Sequence, residues 1–168
     1  MSTFYDDWLR GGSIKELVKG LLEKSGYMVC PYGYESTFSQ VKKLLWDKGA
    51  KNSPTTRRLR ASPDILVYDD LRKDVMLVEI KMRGAKDPSH VAYLQLERYF
   101  EFWSDTILAL AIPSGSVLYA QRVSDLEKKN IYDADSDFER FEDIFSRVTK
   151  ETIDYFKPRA LKAMEKKR

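Results

Sequence analysis

The stretch Val75-Met-Leu-Val-Glu-Ile-Lys-Met82 constrains the fold more than any other part of the chain. It is almost continuously apolar, as expected for a strand that is covered on both faces at the centre of a sheet. Glu79 and Lys81 interrupt it, and they share one face because side chains alternate along a strand. Charged groups in such a strand are costly unless they are paired or bound to something, so this position needs an explanation.

The rest of the chain predicts an α/β domain around this strand. Hydrophobic periodicity and turn residues indicate, in chain order, a helix over 14–25, strands over 27–30, 65–68 and 75–82, a helix over about 88–104, strands over 106–112 and 117–123, and a C-terminal helix beginning at 136. The order helix, three strands, helix, two strands, helix is typical of a central mixed sheet flanked by helices.

Local signals set the expected helix ends. Ser13 is the predicted N-cap of the first helix and forms a capping box with Glu16, and Gly26 is the predicted stop. A second capping box, Ser136-x-x-Glu139, predicts the start of the last helix. Its apolar stripe is formed by Phe138, Phe141, Phe145 and Val148.

Composition excludes several classes of protein. The chain has 168 residues, of which 43% are hydrophobic and 33% charged, so one globular domain is expected. No apolar run approaches the roughly 20 residues that a membrane crossing needs. Cys30 is the only cysteine, which rules out an internal disulfide or a cysteine-based zinc site. The start of the chain contains acids where a signal peptide would be basic and then apolar, so the cytoplasm is the expected location.

Positive charge is concentrated in two short segments. The formal net charge is only +3, yet residues 37–60 hold 7 basic residues and 1 acidic residue, and residues 157–168 hold 6 and 1. A polyanion responds to such local charge. The first segment supplies candidate phosphate contacts for a nucleic acid, namely Lys42, Lys43, Lys48, Lys51, Arg57, Arg58 and Arg60. Solvated loops and tails are the alternative, and they are favoured for the C-terminal segment.

Two carboxylates lie at matching ends of neighbouring predicted strands. Asp64 follows Pro63 at the entry of one strand, and Glu79 lies near the end of the next with Lys81 two positions on. An ordinary Glu79–Lys81 ion pair, with Asp64 as a turn residue, is the plain explanation. The combination of Pro-Asp, an apolar strand, a turn and Glu-x-Lys favours a functional one.

This combination resembles the PD-(D/E)xK nuclease superfamily, with Pro63-Asp64 as the PD and Glu79-Ile80-Lys81 as the ExK. Gln95 and Tyr99 lie one helical turn apart and are similar to the Gln-xxx-Tyr motif of RecB-like members. The resemblance covers about residues 13–123 and implies a restriction-endonuclease-like αβββαβ core. Residues 37–60 would then be a basic insertion, and residues 136–168 an extra C-terminal helix with a basic tail, in a single nuclease-like domain over residues 1–168.

The resemblance implies metal-dependent hydrolysis of DNA. Asp64, Glu79 and the backbone carbonyl of Ile80 would hold Mg²⁺ or Mn²⁺, which prefer oxygen ligands. Lys81 would orient the attacking water or stabilise the charge on the phosphate. Gln95 and Tyr99 would position the water or the backbone of the nucleic acid.

A further acid on the first helix fits less well. Many members of the superfamily place one there, and Glu16 is the candidate. The helical wheel turns Glu16 away from the apolar stripe towards solvent, which favours a capping role.

Two other functions stay open at this stage. A catalytically inactive nucleic-acid-binding module on the same fold would bind nucleic acid without cleaving it, and a protein-interaction domain would do neither. RNA is an alternative to DNA, and a homodimer is an alternative to a monomer.

Overall fold

The computed structural model describes residues 4–33, 53–82, 90–112 and 117–165. Among these described residues, the first half of the chain shows two helices and three strands: α1 (Phe4–Lys24), β1 (Met28–Pro31), α2 (Pro54–Arg60), β2 (Ile65–Asp69) and β3 (Asp74–Met82). The second half forms β4 (His90–Ala92), α3 (Tyr93–Phe102), β5 (Ile107–Ile112), β6 (Val117–Arg122), a 3₁₀ helix (Val123–Asp125), β7 (Ile131–Asp133), α4 (Ala134–Asp137), β8 (Glu139–Arg140), α5 (Phe141–Ile144) and α6 (Lys150–Glu165). None of the helices in these ranges is long and apolar enough to span a bilayer.

Six strands form a mixed sheet in the order β1-β2-β3-β5-β6-β8. Strands β3 and β5 are parallel, and the other neighbours are antiparallel. The predicted β2–β3 hairpin is confirmed, with Ile65 opposite Val78. The apolar β3 lies inside the sheet as expected, and the predicted α/β class with a central mixed sheet is confirmed. Strands β4 and β7 form a separate two-stranded sheet.

The two faces of the large sheet carry separate apolar clusters. One cluster joins Val18 and Leu21 of α1 to the side chains of Val78 and Ile80 on β3. The other includes Leu96 and Tyr99 of α3 and Leu108 and Leu110 of β5. Because side chains alternate along β3, Glu79 and Lys81 lie on the α3 side of the sheet.

The structure corrects the predicted start of the first helix. Helix α1 begins at Phe4, so Ser13 lies inside it, and the predicted capping box with Glu16 is wrong. The capping signal is overridden because the residues before Ser13 are themselves helical. The predicted stop is confirmed: Gly26 has φ +88 and its N–H donates to the Glu23 carbonyl.

The predicted C-terminal helix from residue 136 is also wrong. The chain makes the one-turn helix α4, the short strand β8 and the one-turn helix α5, and a long helix begins only at Lys150. The physical reason is tertiary pairing, since Glu139 and Arg140 extend the sheet beside β6. The aromatic stripe is nevertheless buried, with Phe141 and Phe145 fully enclosed.

Two smaller differences concern the residues near the site. The helix predicted over 88–104 begins at Tyr93, and His90 belongs to β4, opposite Asp133 of β7. The segment that contains Arg57, predicted without helix, forms α2. Ser53 caps α2 by accepting the Thr56 N–H at 3.2 Å, and Pro54 starts its first turn.

Candidate active site

Asp64 is held at the junction of three strands. Its backbone carbonyl accepts the N–H groups of Tyr32 and Gly33, just after β1, each at 3.0 Å. Its carboxylate Oδ2 accepts the N–H of Ile80 on β3, also at 3.0 Å. These contacts fix the aspartate side chain against β3 at the entry of β2.

Glu79 faces Asp64 across the β2–β3 hairpin. The last paired residues are Ile65 and Val78, so the next register position sets Asp64 opposite Glu79. The two side chains are only 13% and 5% exposed. Like charges directly opposite each other destabilise a hairpin. Burial and the charge of Glu79 together raise the pKa of the Asp64 carboxyl.

Three cationic side chains balance this carboxylate pair. Lys81 Nζ lies 2.6 Å from Glu79 Oε1, and Arg98 Nη2 of α3 lies 3.5 Å from the same oxygen. Lys15 of α1 places Nζ 2.6 Å from Asp64 Oδ1. Cations from both helix layers therefore meet at this end of the sheet, which makes the buried pair tolerable.

The predicted Gln-xxx-Tyr pair divides into a buried member and an exposed one. Tyr99 is fully buried, its ring lies under Lys81 and Arg98, and its hydroxyl hydrogen-bonds with Arg98 and Glu79. Burial and the neighbouring Glu79 carboxylate raise the pKa of the Tyr99 phenol, so it keeps its proton. Gln95 is exposed one turn earlier on α3.

Lys15 and Arg98 are members of the cluster that the sequence interpretation missed. No local signal in the sequence marks Lys15, because its partner Asp64 lies 49 positions away along the chain. Arg98 occupies a variable position inside the Gln-xxx-Tyr motif and directly precedes Tyr99. Its position beside a motif tyrosine was the one signal that could have identified it.

The predicted basic residues are only partly described. Arg57, Arg58 and Arg60 lie on α2, where Arg57 Nη2 contacts Glu101 Oε2 at 3.2 Å. The Arg58 guanidinium stacks on the ring of Trp103, 5.3 Å from its centroid. Lys42, Lys43, Lys48 and Lys51 lie outside the described residues.

The donor set fits a magnesium-type ion. Mg²⁺ is commonly held by one or two carboxylates together with waters and substrate phosphates. The two carboxylates of Asp64 and Glu79 are therefore enough protein ligands for such an ion. Within the described ranges, no group of three or more His, Cys, Asp or Glu side chains is placed to hold a metal. Glu16 is exposed on α1, as the helical wheel predicted, and it does not join the pair in such a group.

No protein-family model matches this chain, and no curated protein matches it either. Among solved structures, a Holliday junction resolvase from the archaeal hyperthermophile Archaeoglobus fulgidus is similar. The match has 18% sequence identity and a TM-score of 0.46, and it covers 82% of this chain and 98% of the resolvase. The likeness concerns the fold alone.

Proposed function

We propose that this chain is a metal-dependent nuclease that hydrolyses DNA phosphodiester bonds. The observation that carries the proposal is the buried pair of opposed carboxylates, Asp64 and Glu79, with Lys81 Nζ 2.6 Å from Glu79. Opposed buried carboxylates cost stability, and such costs are characteristic of sites kept for function. A reducing compartment, the cytoplasm, is the expected location for a chain with one cysteine.

Asp64, Glu79 and the Ile80 carbonyl are the proposed ligands of Mg²⁺ or Mn²⁺. The chemistry that such an ion supplies when bound is polarisation of the phosphoryl group and activation of water. Before the ion binds, Lys15 and Lys81 neutralise the carboxylates. Lys15 therefore competes with the metal for Asp64.

Lys81 is the proposed catalytic cation. Its ammonium group is held by Glu79 and lies 5.7 Å from the Tyr99 ring centroid, so its direction is fixed before substrate arrives. A fixed ammonium donates hydrogen bonds to the attacking water and stabilises the negative charge that develops on the phosphate. Tyr99 keeps its proton and orients Glu79, and the exposed Gln95 contacts the water or the nucleic acid backbone.

Cleavage assays on single-stranded, duplex and branched DNA with Mg²⁺ or Mn²⁺ test the proposal. Asp64→Asn, Glu79→Gln and Lys81→Gln are each expected to lower the rate by about 10²-fold or more, as for loss of an electrostatic catalytic group. Arg140→Gln is the matched control, because Arg140 is exposed on β8 at the far edge of the sheet. The enzyme proposal fails if wild type cuts none of these substrates, or if the three variants cut as fast as the control.

A catalytically inactive nucleic-acid-binding module is the second candidate. It is favoured by the Lys15 contact with Asp64 and by the lack of a third acid beside the pair among the described residues. This candidate predicts salt-dependent binding without turnover. The same substrate panel with RNA included separates the two functions and the two nucleic acids, and light scattering measures whether the active species is a homodimer.

A further inference from the structure

A cavity of about 210 Å³ lies between the end of α2 and α3. Its lining consists of Arg57, Arg60 and Ala61 from the end of α2, and Arg98 and Phe102 from α3. Arg57 and Arg60 are three positions apart and share one face of α2. Arg98 also contacts Glu79, at 3.5 Å, so one side chain belongs both to the cavity and to the proposed active site.

The walls of this cavity are held in place by contacts around it. The indole Nε1 of Trp103 donates to the Arg58 carbonyl at 3.2 Å, which fastens α2 to the end of α3. The Arg57 guanidinium lies 5.8 Å from the Phe102 ring centroid. The arginine side chains therefore start from a scaffold that does not have to assemble around a ligand.

The charge of the cavity favours an anion. Three guanidinium groups line one small space, so a phosphate that enters it meets several N–H donors and positive charges at once. Glu101 contacts Arg57 at 3.2 Å, but this pair is about half exposed and therefore weak. Guanidinium groups match phosphate oxygens in a bidentate manner, which a single lysine does not.

The geometry points to a phosphate-binding subsite, formed by Arg57, Arg60 and Arg98, that holds a phosphate of the substrate strand next to the one that is cut. This inference rests on the proposed function, since it assigns the subsite to the same substrate. Arg98 lines the subsite and also contacts Glu79, so a phosphate that binds Arg98 lies close to the carboxylate pair. The phosphate comes either from an internal phosphodiester or from a terminal monoester, because both present the same oxygens.

Binding measured without metal separates this inference from catalysis. Fluorescence anisotropy in EDTA compares a labelled single-stranded oligonucleotide carrying a 5′-phosphate with the same oligonucleotide carrying a 5′-hydroxyl. Arg57→Gln and Arg60→Gln are expected to weaken binding about tenfold each and to reduce the salt slope by about one unit. Arg60→Lys keeps the charge but loses the bidentate geometry and is expected to fall in between. Arg140→Gln, at the far edge of the sheet, controls for net charge.

The two oligonucleotides identify the source of the phosphate. If the phosphorylated one binds more tightly and Arg60→Gln removes the preference, the subsite takes a terminal phosphate. If Arg60→Gln weakens the binding of both oligonucleotides equally, the subsite takes an internal phosphate. The inference is overturned if wild type binds neither oligonucleotide, or if Arg57→Gln and Arg60→Gln lose no more than Arg140→Gln. Arginine-dependent binding without any cleavage in Mg²⁺ would instead overturn the nuclease proposal and leave the subsite standing.

Discussion

At the scale of single residues, the site is a balance between two carboxylates and the cations around them. The pKa values of Asp64 and Asp70 shift in opposite directions, depending on whether burial or a neighbouring cation dominates. Burial and the charge of Glu79 raise the pKa of Asp64 although Lys15 opposes this. The hydrogen bond and ion pair from Arg147 lower the pKa of the exposed Asp70. The ionised form is thus disfavoured by folding at Asp64 and favoured at Asp70.

These two directions predict opposite effects of matched substitutions. A raised folded-state pKa means that the stability due to Asp64 is greatest below the usual pKa of 3.8 and is lost as pH rises through the folded-state value. Metal-free Asp64→Asn is therefore expected to be more stable than wild type at pH 7. Asp70→Asn is expected to be less stable at pH 7, because its contribution is present above the usual pKa and is lost in acid.

Urea unfolding in EDTA between pH 3 and pH 7 checks both signs. Both differences from wild type are expected to shrink as the pH falls, because each aspartate becomes more protonated, at a lower pH for folded-state Asp70 than for folded-state Asp64. A metal-free Asp64→Asn that is less stable than wild type at pH 7 would show that the Lys15 contact outweighs the burial of the carboxylate.

Tyr99→Phe tests whether the phenol acts through Glu79. The hydroxyl hydrogen-bonds with Arg98 and Glu79, and its loss is expected to reduce stability by about 1 kcal/mol and the cleavage rate about tenfold. Tyr132→Phe is the matched control, because Tyr132 is also fully buried and its hydroxyl accepts the Lys129 N–H at 3.3 Å. If both variants lose stability and both cut at the wild-type rate, Tyr99 is a core residue only.

At the scale of secondary-structure elements, the layer behind the site is a pair of helices. Helix α6 packs along α1, and α1 in turn supplies Lys15 to Asp64. Gly20 lies where α1 meets α6: a β-carbon there would be 3.2 Å from Phe156 Cε1. The small residue therefore allows the close approach of the two helices.

Gly20→Leu is expected to reduce stability by about 1–3 kcal/mol, because a large side chain must push the Phe156 ring away. Phe156→Ala alone is expected to reduce stability by removing apolar contacts. The double variant is expected to lose less unfolding free energy than the two single variants together, since the leucine then fills the space left by the ring. Urea unfolding of all four proteins measures this coupling, and strict additivity would show that the helices already separate at Gly20.

The elements also show what the sequence could predict. The strands with continuous apolar runs, β3 and β5, were predicted almost to their ends because burial on both faces leaves a local pattern. Strand β8 was missed because it is two residues long and exists only through its pairing with Tyr119 and Ala120 of β6. The spacing of Phe138, Phe141 and Phe145 predicts one helix, whereas these residues enter the core from several short elements.

At the scale of the whole molecule, the site lies where the two layers that cover the sheet meet. Asp64 and Glu79 are predicted from the sequence because motif spacing along two strands is a local property. Lys15 and Arg98 come from helices on opposite faces, and no spacing along the chain shows that they converge. The lysines at 42, 43, 48 and 51 stay predictions, because they lie outside the described residues.

Unfolding of the whole chain reports metal binding without any need for cleavage. A ligand that binds only the folded state adds about 2.7 kcal/mol of stability at a concentration 100 times its Kd. Mg²⁺ or Mn²⁺ is therefore expected to raise the melting temperature of wild type, and Glu79→Gln is expected to abolish the rise. Glu16→Gln should leave the rise unchanged, because Glu16 is exposed and is not grouped with the pair.

Lys15→Gln tests whether Lys15 competes with the metal for Asp64 or positions Asp64 for the metal. The lysine ammonium and the metal bind the same Asp64 carboxylate, so removal of the ammonium is expected to lower the metal concentration that gives half of the thermal shift. A rise in that concentration would mean that Lys15 positions Asp64 for the ion. If neither metal changes the melting temperature of wild type or of Lys15→Gln, the chain is the binding module and not the nuclease. The opposed charges of Asp64 and Glu79 would then be neutralised only by the two lysines and the arginine that already contact them.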